Sequence, residues 1–311
     1  MHDLLTDAFF TALVSGGLLA GVPLLFAALG ETISERAGVL NIGLEGMMLI
    51  GAYAGFVAAL YGHYAWLGYG AGMAAGAVVS LLMVVLCVHL GLDQIVVGIG
   101  ITLAAEGMTS LLHGSQFAET RPTLDATELV TIPLASRIPV VGGSVFSQPL
   151  VVYLGLGLVV LVWWTFRSTT VGLNLRAAGD KPSALDAAGV SVLAARSWAV
   201  LATGALAGLG GAYLAIVSAG LFEPFLTQGR GFIAIVLAML ARGRPFWVLG
   251  GAFLFGMSLS ISDALQLVGV DISTDVVLML PFLVVIVVLI VFARRAYLPA
   301  ALGLPYVRGA R

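Results

Sequence analysis

The 311-residue chain has a single lysine, Lys181, a single cysteine, Cys87, and few charges of either sign, with 10% charged residues in all. Each scarcity excludes something. A net charge of -2 offers no basic field for nucleic acid and no bulk electrostatic partner, so charge informs only through its placement. One cysteine closes no intrachain disulfide and builds no thiolate metal site, and within its apolar run Cys87 reads as a small packed hydrophobe. Lys181 is followed by Pro182 rather than Ser or Thr, so the phosphate-binding Walker loop is missing and ATP hydrolysis by that route is excluded. No Gly-x-Ser-x-Gly elbow occurs, and His2, His63, His89 and His113 lack paired ligand spacing. No catalytic residue, metal or cofactor is expected. The first ten residues carry Asp3 and Asp7 but no Lys or Arg, so a cleavable signal peptide is not expected and the first span should be retained.

What the chain has is apolar surface. It is 60% hydrophobic, with a mean hydropathy of +1.08 and 40 glycines, which places it in the polytopic membrane class. Lipid gives helices no hydrophobic drive to associate, so small residues must let backbones approach; Gly204, Gly208 and Ala212 have the four-residue spacing that does this. A hydrocarbon core of about 30 Å needs about 20 helical residues. The qualifying runs are roughly 8–29, 45–61, 65–88, 92–112, 148–166, 197–218, 231–241, 246–266 and 276–293. The expected fold is therefore an all-α transmembrane bundle of about eight to ten segments over one domain, residues 1–311. The short run ending at Ala241 and the polar starts near 45 and 92 predict broken or re-entrant helices, which need protein or water around them.

Orientation follows from Lys and Arg. The loop over 167–196, the Arg242 and Arg244 turn, and the tail with Arg294, Arg295, Arg308 and Arg311 fall on one side, the cytoplasmic one. The C-terminus is then cytoplasmic and the N-terminus outside. The stretch over 114–147, with Pro122, Pro133 and Pro139, becomes an ordered external loop on which a soluble partner could rest.

Polar residues inside the apolar runs are the candidates for a passage. Gln94, Gly98, Thr102, Glu106 and Ser110 recur every four residues, a slowly winding stripe on a helix. A mid-span carboxylate such as Glu106 costs on the order of 3 kcal/mol unless it meets water or a partner, so the stripe reads either as pathway lining or as interhelical hydrogen bonding. Ser258, Ser262 and Gln266 form a second stripe beside Asp263, open to the same two readings. Asn41 and Glu45 sit where the glycine-rich GVLNIGLEGMMLIGAYAG enters the membrane.

In the basic loop, Pro182 suits the first turn of a helix and Gly189 its left-handed end. The short helix between them carries Ala184, Leu185 and Ala188 as a small apolar face flanked by Lys181 and Asp186, more like a docking surface than a solvated linker.

The order of GETISERAGVLNIGLEGMMLIGAYAG, LDQIVVGIGITLAAEGMTSLL, VGLNLRAAGDKPSALDAAGV, GRGFIAIVLAMLARGRP and LPAALGLPYVR resembles the permease subunits of bacterial ABC importers. It is most similar to the branch related to branched-chain amino acid and simple-sugar permeases whose nucleoside importers use basic membrane lipoproteins. The resemblance implies that Arg176 to Gly189 holds a coupling helix seated in a partner ATPase, with Leu175, Arg176, Asp180, Pro182, Ala184 and Gly189 forming the contact. It implies that Asn41, Glu45 and Gln94 lie around the substrate passage. Asp93 departs from the family pattern, in which a smaller or amide residue is usual. The implied partners are a second, different permease, an ATPase with duplicated nucleotide-binding domains, and an external substrate-binding lipoprotein, all at a bacterial inner membrane. Nucleosides are the leading solutes and simple sugars the next. A stand-alone secondary transporter would leave the basic loop without purpose and would need more intramembrane charge, and a membrane enzyme would need a nucleophile, base or metal set.

Overall fold

A computed structural model describes residues 7–131, 141–267 and 298–307, with isolated helical positions at 279, 283, 286, 287 and 290. The elements are α1 (Asp7–Arg36), α2 (Leu44–Gly62), α3 (Ala65–Met83), α4 (Gln94–Phe117), α5 (Val141–Phe146), α6 (Leu150–Ser168), α7 (Thr170–Asp180), α8 (Pro182–Ala187), α9 (Val192–Tyr213), α10 (Arg230–Ala241) and α11 (Pro245–Leu267). Short π-helical stretches, Val84–His89 and Leu214–Ala219, prolong α3 and α9. Strands β1 (Val130–Thr131) and β2 (Ser147–Gln148) pair antiparallel within the proline-containing loop. The architecture is the expected all-α polytopic bundle. Among the described residues six helices are long and apolar enough to cross a membrane, and two more apolar helices are shorter. The expected span over 276–293 lies largely outside the described residues.

Helix α1 is the axis of the molecule. Residues 21–32 are buried without interruption, as befits a helix that is apolar all round and surrounded by protein. It runs seven residues past the expected end at 29, because GETISER forms a further two turns instead of a loop. Two local bonds explain this. Thr32 Oγ1 donates to the Ala28 carbonyl at 2.7 Å, so its hydroxyl asks nothing of lipid. The end at Arg36 is closed by Gly38 in the left-handed region (φ 88°), with the Val39 amide donating back to Ser34 O at 3.0 Å, a Schellman closure that needs glycine at that point.

Helix α9 packs against α3 along the glycine stripe. A Cβ on Gly208 would run into the Gly72 carbonyl, and one on Gly204 would run into Ser80 and the Gly76 carbonyl. The expectation for Gly204, Gly208 and Ala212 is met, with Gly72, Gly76 and Ser80 as the facing row. By contrast α4 leaves Ile95, Val96, Ile99, Leu103, Met108 and Leu111 exposed, an apolar face for lipid or a neighbouring subunit. The bundle thus has a dense centre of α1, α2 and α9 and an outer layer that includes α4.

Candidate functional site

Two places in the bundle bring the candidate residues together. The first is the chain break between α1 and α2, residues 37–43, where non-helical backbone must find partners for its amides. The Leu40 amide donates to Gln94 Oε1 at 2.8 Å, and the Asn41 amide donates to Glu31 Oε1 at 2.9 Å. Asn41 itself is fully buried, with Nδ2 3.3 Å from Met47 Sδ. Asp93 caps α4 from outside its first turn, its carboxylate accepting from the Ile95 and Val96 amides at 2.9 Å. An amide could accept the same bonds with less charge at the helix's positive end, so the departure at Asp93 has a local structural use.

Glu45 joins this break to a second one. Its Oε1 accepts from Thr227 Oγ1 at 2.5 Å and from the Gly229 amide at 2.8 Å, while Oε2 accepts from the Gly231 amide at 2.5 Å. The first turn of α10 has amides with no intrahelical acceptor, and a carboxylate there satisfies them and meets the positive end of the helix dipole. Arg230 supplies the compensating charge beside Glu45. A Cβ on Gly231 would collide with the Glu45 backbone, so glycine is what allows α10 to approach α2. Depth follows from helix lengths. The opposite end of α10 is held by Arg36, whose guanidinium donates to the Arg242 and Gly243 carbonyls at 2.9 and 3.3 Å. Twelve residues of α10 span about 18 Å, so Glu45 and the residue 224–229 turn lie about that far from the end of α10 that Arg36 holds.

The remaining passage candidates are less convergent. Thr102 is buried against Gly46, its hydroxyl making no hydrogen bond among the described residues. Gln94, Gly98, Thr102 and Thr109 form the inward face of α4, while Glu106 is half-buried at its margin. Ser258 is buried and donates to its own helix at Leu254 O, 3.0 Å. Ser262 lies on α11 with its side chain outside the described residues, so the second stripe is not assembled as a site here.

The second place is the end of the bundle that carries α7 and α8. Pro182 occupies the first position of α8, Ala188 is its C-cap, and Gly189 follows with φ 83°, as the sequence predicts. One expectation needs correction. Leu185 does not share an outward face with Ala184 and Ala188: it is buried with Ala178 and Val192, with Tyr306 packed against them. In so short a helix the only large apolar side chain anchors it to the bundle, while Lys181, Ser183, Ala184, Ala187, Ala188 and Gly189 are exposed. Leu175 is likewise buried beside Ala37 and Ala199. Arg176 bonds within the protein, Nη2 donating to Phe166 O at 2.5 Å, and Asp180 is half-buried.

Sequence reasoning missed the residue that binds this end together. Arg196, 2% exposed, donates to Ala37 O at 3.1 Å, Leu304 O at 2.7 Å, Ala178 O at 3.2 Å and Ala301 O at 3.4 Å. It ties the end of α1, the end of α7 and the C-terminal segment into one unit. The tail adds backbone bonds, Ala301 N to Gly179 O at 2.8 Å and Gly303 N to Gly38 O at 3.1 Å. The only sequence signal was an arginine inside the start of an apolar run, which served as an orientation marker. Glu31 and Glu35, both buried on α1, were also missed, because GETISER reads as a polar loop.

The sequence that folds this way matches known proteins along most of its length. The family model described as branched-chain amino acid transport system / permease component matches residues 13–289. The chain is 36% identical to the guanosine ABC transporter permease protein NupQ of Bacillus subtilis, over 96% of this chain and 97% of that one. It is 33% identical to the nucleoside ABC transporter permease protein NupC of Lactococcus lactis, over 95% and 96%. It is 39% identical to the "Putative glucose ABC transporter permease protein" of Haloferax volcanii, over 84% and 78%. Members of this group are transport subunits rather than enzymes, and a separate ATPase subunit hydrolyses the ATP. The chain is a multi-pass membrane protein that belongs to the branched-chain amino acid transport system permease family, the permease of an ABC importer.

Proposed function

We propose that this permease carries nucleosides inward by alternating access. The observation that supports the solute class most is similarity along almost the entire chain to relatives named for guanosine and nucleosides. The glucose-named relative in Haloferax volcanii, at higher identity over a shorter stretch, keeps simple sugars as the second reading. The end of the bundle carrying α8 faces the cytoplasm, where Arg167, Arg176, Lys181 and Arg196 cluster, and the C-terminal segment lies there too. The membrane is the bacterial inner membrane. The chain is one domain, with its external loop over 114–147 opposite the coupling loop over 167–196.

ATP-driven closure of a partner ATPase with duplicated nucleotide-binding domains reaches the chain through α8. Its exposed alanines seat in the partner, and Leu185 with the Arg196 knot passes the motion to α1, α7 and α9. A ligand shifts such an equilibrium only by binding one state better than the other, and ATP on the partner supplies that difference. Each nucleoside-related organism contributes two permease relatives, NupQ and NupP or NupC and NupB, and this chain is more similar to NupQ and NupC. That supports a heterodimer with a permease of the other kind, fed by an external binding lipoprotein. The test is uptake by the reconstituted complex. Labelled guanosine should enter proteoliposomes only with ATP and binding protein present, and uptake of glucose but not guanosine overturns the nucleoside reading.

A further inference from the structure

The chain from the end of the π-helical stretch at Ala219 to the start of α10 at Arg230 is not helical, yet it runs from one end of the bundle into its interior. Its upper part is fixed near the outer end of α4: Phe222 is buried with ring contacts to Tyr53 at 5.1 Å and to His113 at 5.6 Å. Its lower part is fixed by Glu45 through Thr227 and the Gly229 amide, about 18 Å above the far end of α10. Between these anchors Glu223, Pro224, Phe225 and Gln228 are exposed, Phe225 by 55%. Irregular backbone and polar side chains are tolerated at membrane depth only against protein or water. An acidic and an amide side chain exposed on such a segment therefore do not face lipid.

The backbone makes the same point. Phe225 and Gln228 are non-glycine residues in the left-handed region, with φ 63° and 48°, where a side chain is strained. A strained turn persists when the structure around it holds it, and here Glu45 does so from below. The charge at the helix end is already satisfied by Glu45, so the two strained residues themselves offer an aromatic ring and a neutral amide, with the exposed Glu223 carboxylate at the outer edge of the turn.

We propose that residues 223–228 line the aqueous passage and that Phe225 and Gln228 touch the solute as it crosses, the ring against a flat face and the amide at a hydrogen-bonding edge. The chemistry fits a neutral solute with a flat apolar face and polar edges, which a nucleoside base and a sugar share. This rests on the transport reading above, though not on which of the two solutes is carried.

The test uses the scarcity of thiols. In a Cys87→Ser background, Phe225→Cys, Gln228→Cys and, as control, Leu103→Cys are introduced one at a time into the assembled complex in sealed vesicles. Leu103 is also exposed, on the apolar face of α4, beside Thr102, which lies against Gly46. A membrane-impermeant thiosulfonate should label the two loop cysteines at least tenfold faster than Leu103→Cys, and saturating solute should slow that labelling severalfold. Loop labelling at the control rate overturns the passage assignment. Fast labelling that neither guanosine nor glucose slows overturns solute contact. Protection by glucose alone upholds this inference while removing the nucleoside reading.

Discussion

The break around Glu45 and the platform at α8 use polar residues in opposite ways. At the break three buried side chains are spent on holding the protein's own chain: Gln94 and Glu31 hold the amides of residues 40 and 41, and Glu45 takes three donors from residues 227–231. At α8 the exposed residues are small or charged, while Leu185 and Arg196 do the holding from beneath. A polar group inside a membrane protein is costly unless bonded, so intramembrane polarity first reports where helices stop. The surface proposed for docking is the part that is left unspent.

This contrast can be broken at several points, in falling order of effect. Glu45→Ala should be the most damaging single change, because two buried donors and one part-buried donor lose their acceptor, at about 1–3 kcal/mol for each buried one. Thermal unfolding of the purified protein in detergent should show a drop of many degrees, with Glu45→Gln recovering part of it. If Glu45→Ala unfolds like the parent, the carboxylate is not the anchor of α10. Arg196→Met comes next. Removing a buried cation from four carbonyls should cost about 3 kcal/mol, and its specific mark should be protease cleavage of the 298–307 segment before the rest of the chain; an equally protected tail would contradict the knot.

Leu185→Ala should follow, losing about 2–3 kcal/mol from a small buried cluster. Its hydrogen-exchange signature should be confined to α8 and the neighbouring turns of α7 and α9, whereas an unchanged exchange rate there would place Leu185 outside the core. The smallest effect belongs to Asp93→Ala, a lost cap worth about 1 kcal/mol. Asp93→Asn should restore most of it in the same unfolding measurement, and failure of that rescue would point to a need for the charge.

The membrane spans were legible because lipid imposes one demand, about 20 apolar residues per crossing, and the chain satisfies it plainly from α2 to α9. The start of α8 was legible too, since Pro182 and Gly189 each carry a backbone rule. Less visible was everything that depends on a partner far along the chain. Nothing near Glu45 in sequence says that its acceptors' partners lie at residues 227–231, and nothing near Arg196 points to Leu304. The polar string GETISER was misread for a related reason: a helix buried on all sides can carry Glu31 and Glu35, so polarity there marks neither an end nor a loop. Leu185 shows the limit of face counting in a helix of six residues, where two turns do not define a side until something packs against it.

The account turns on the surface of α8 being the seat of the ATPase, and Ala188→Asp addresses it most directly, since Ala188 is exposed and outside the buried cluster. The assembled complex carrying this change should unfold at the parent temperature yet lose most of its bound ATPase on size-exclusion chromatography and most of its ATP-dependent uptake. An Ala188→Asp complex that keeps its ATPase and transports at the parent rate would contradict the docking role of α8.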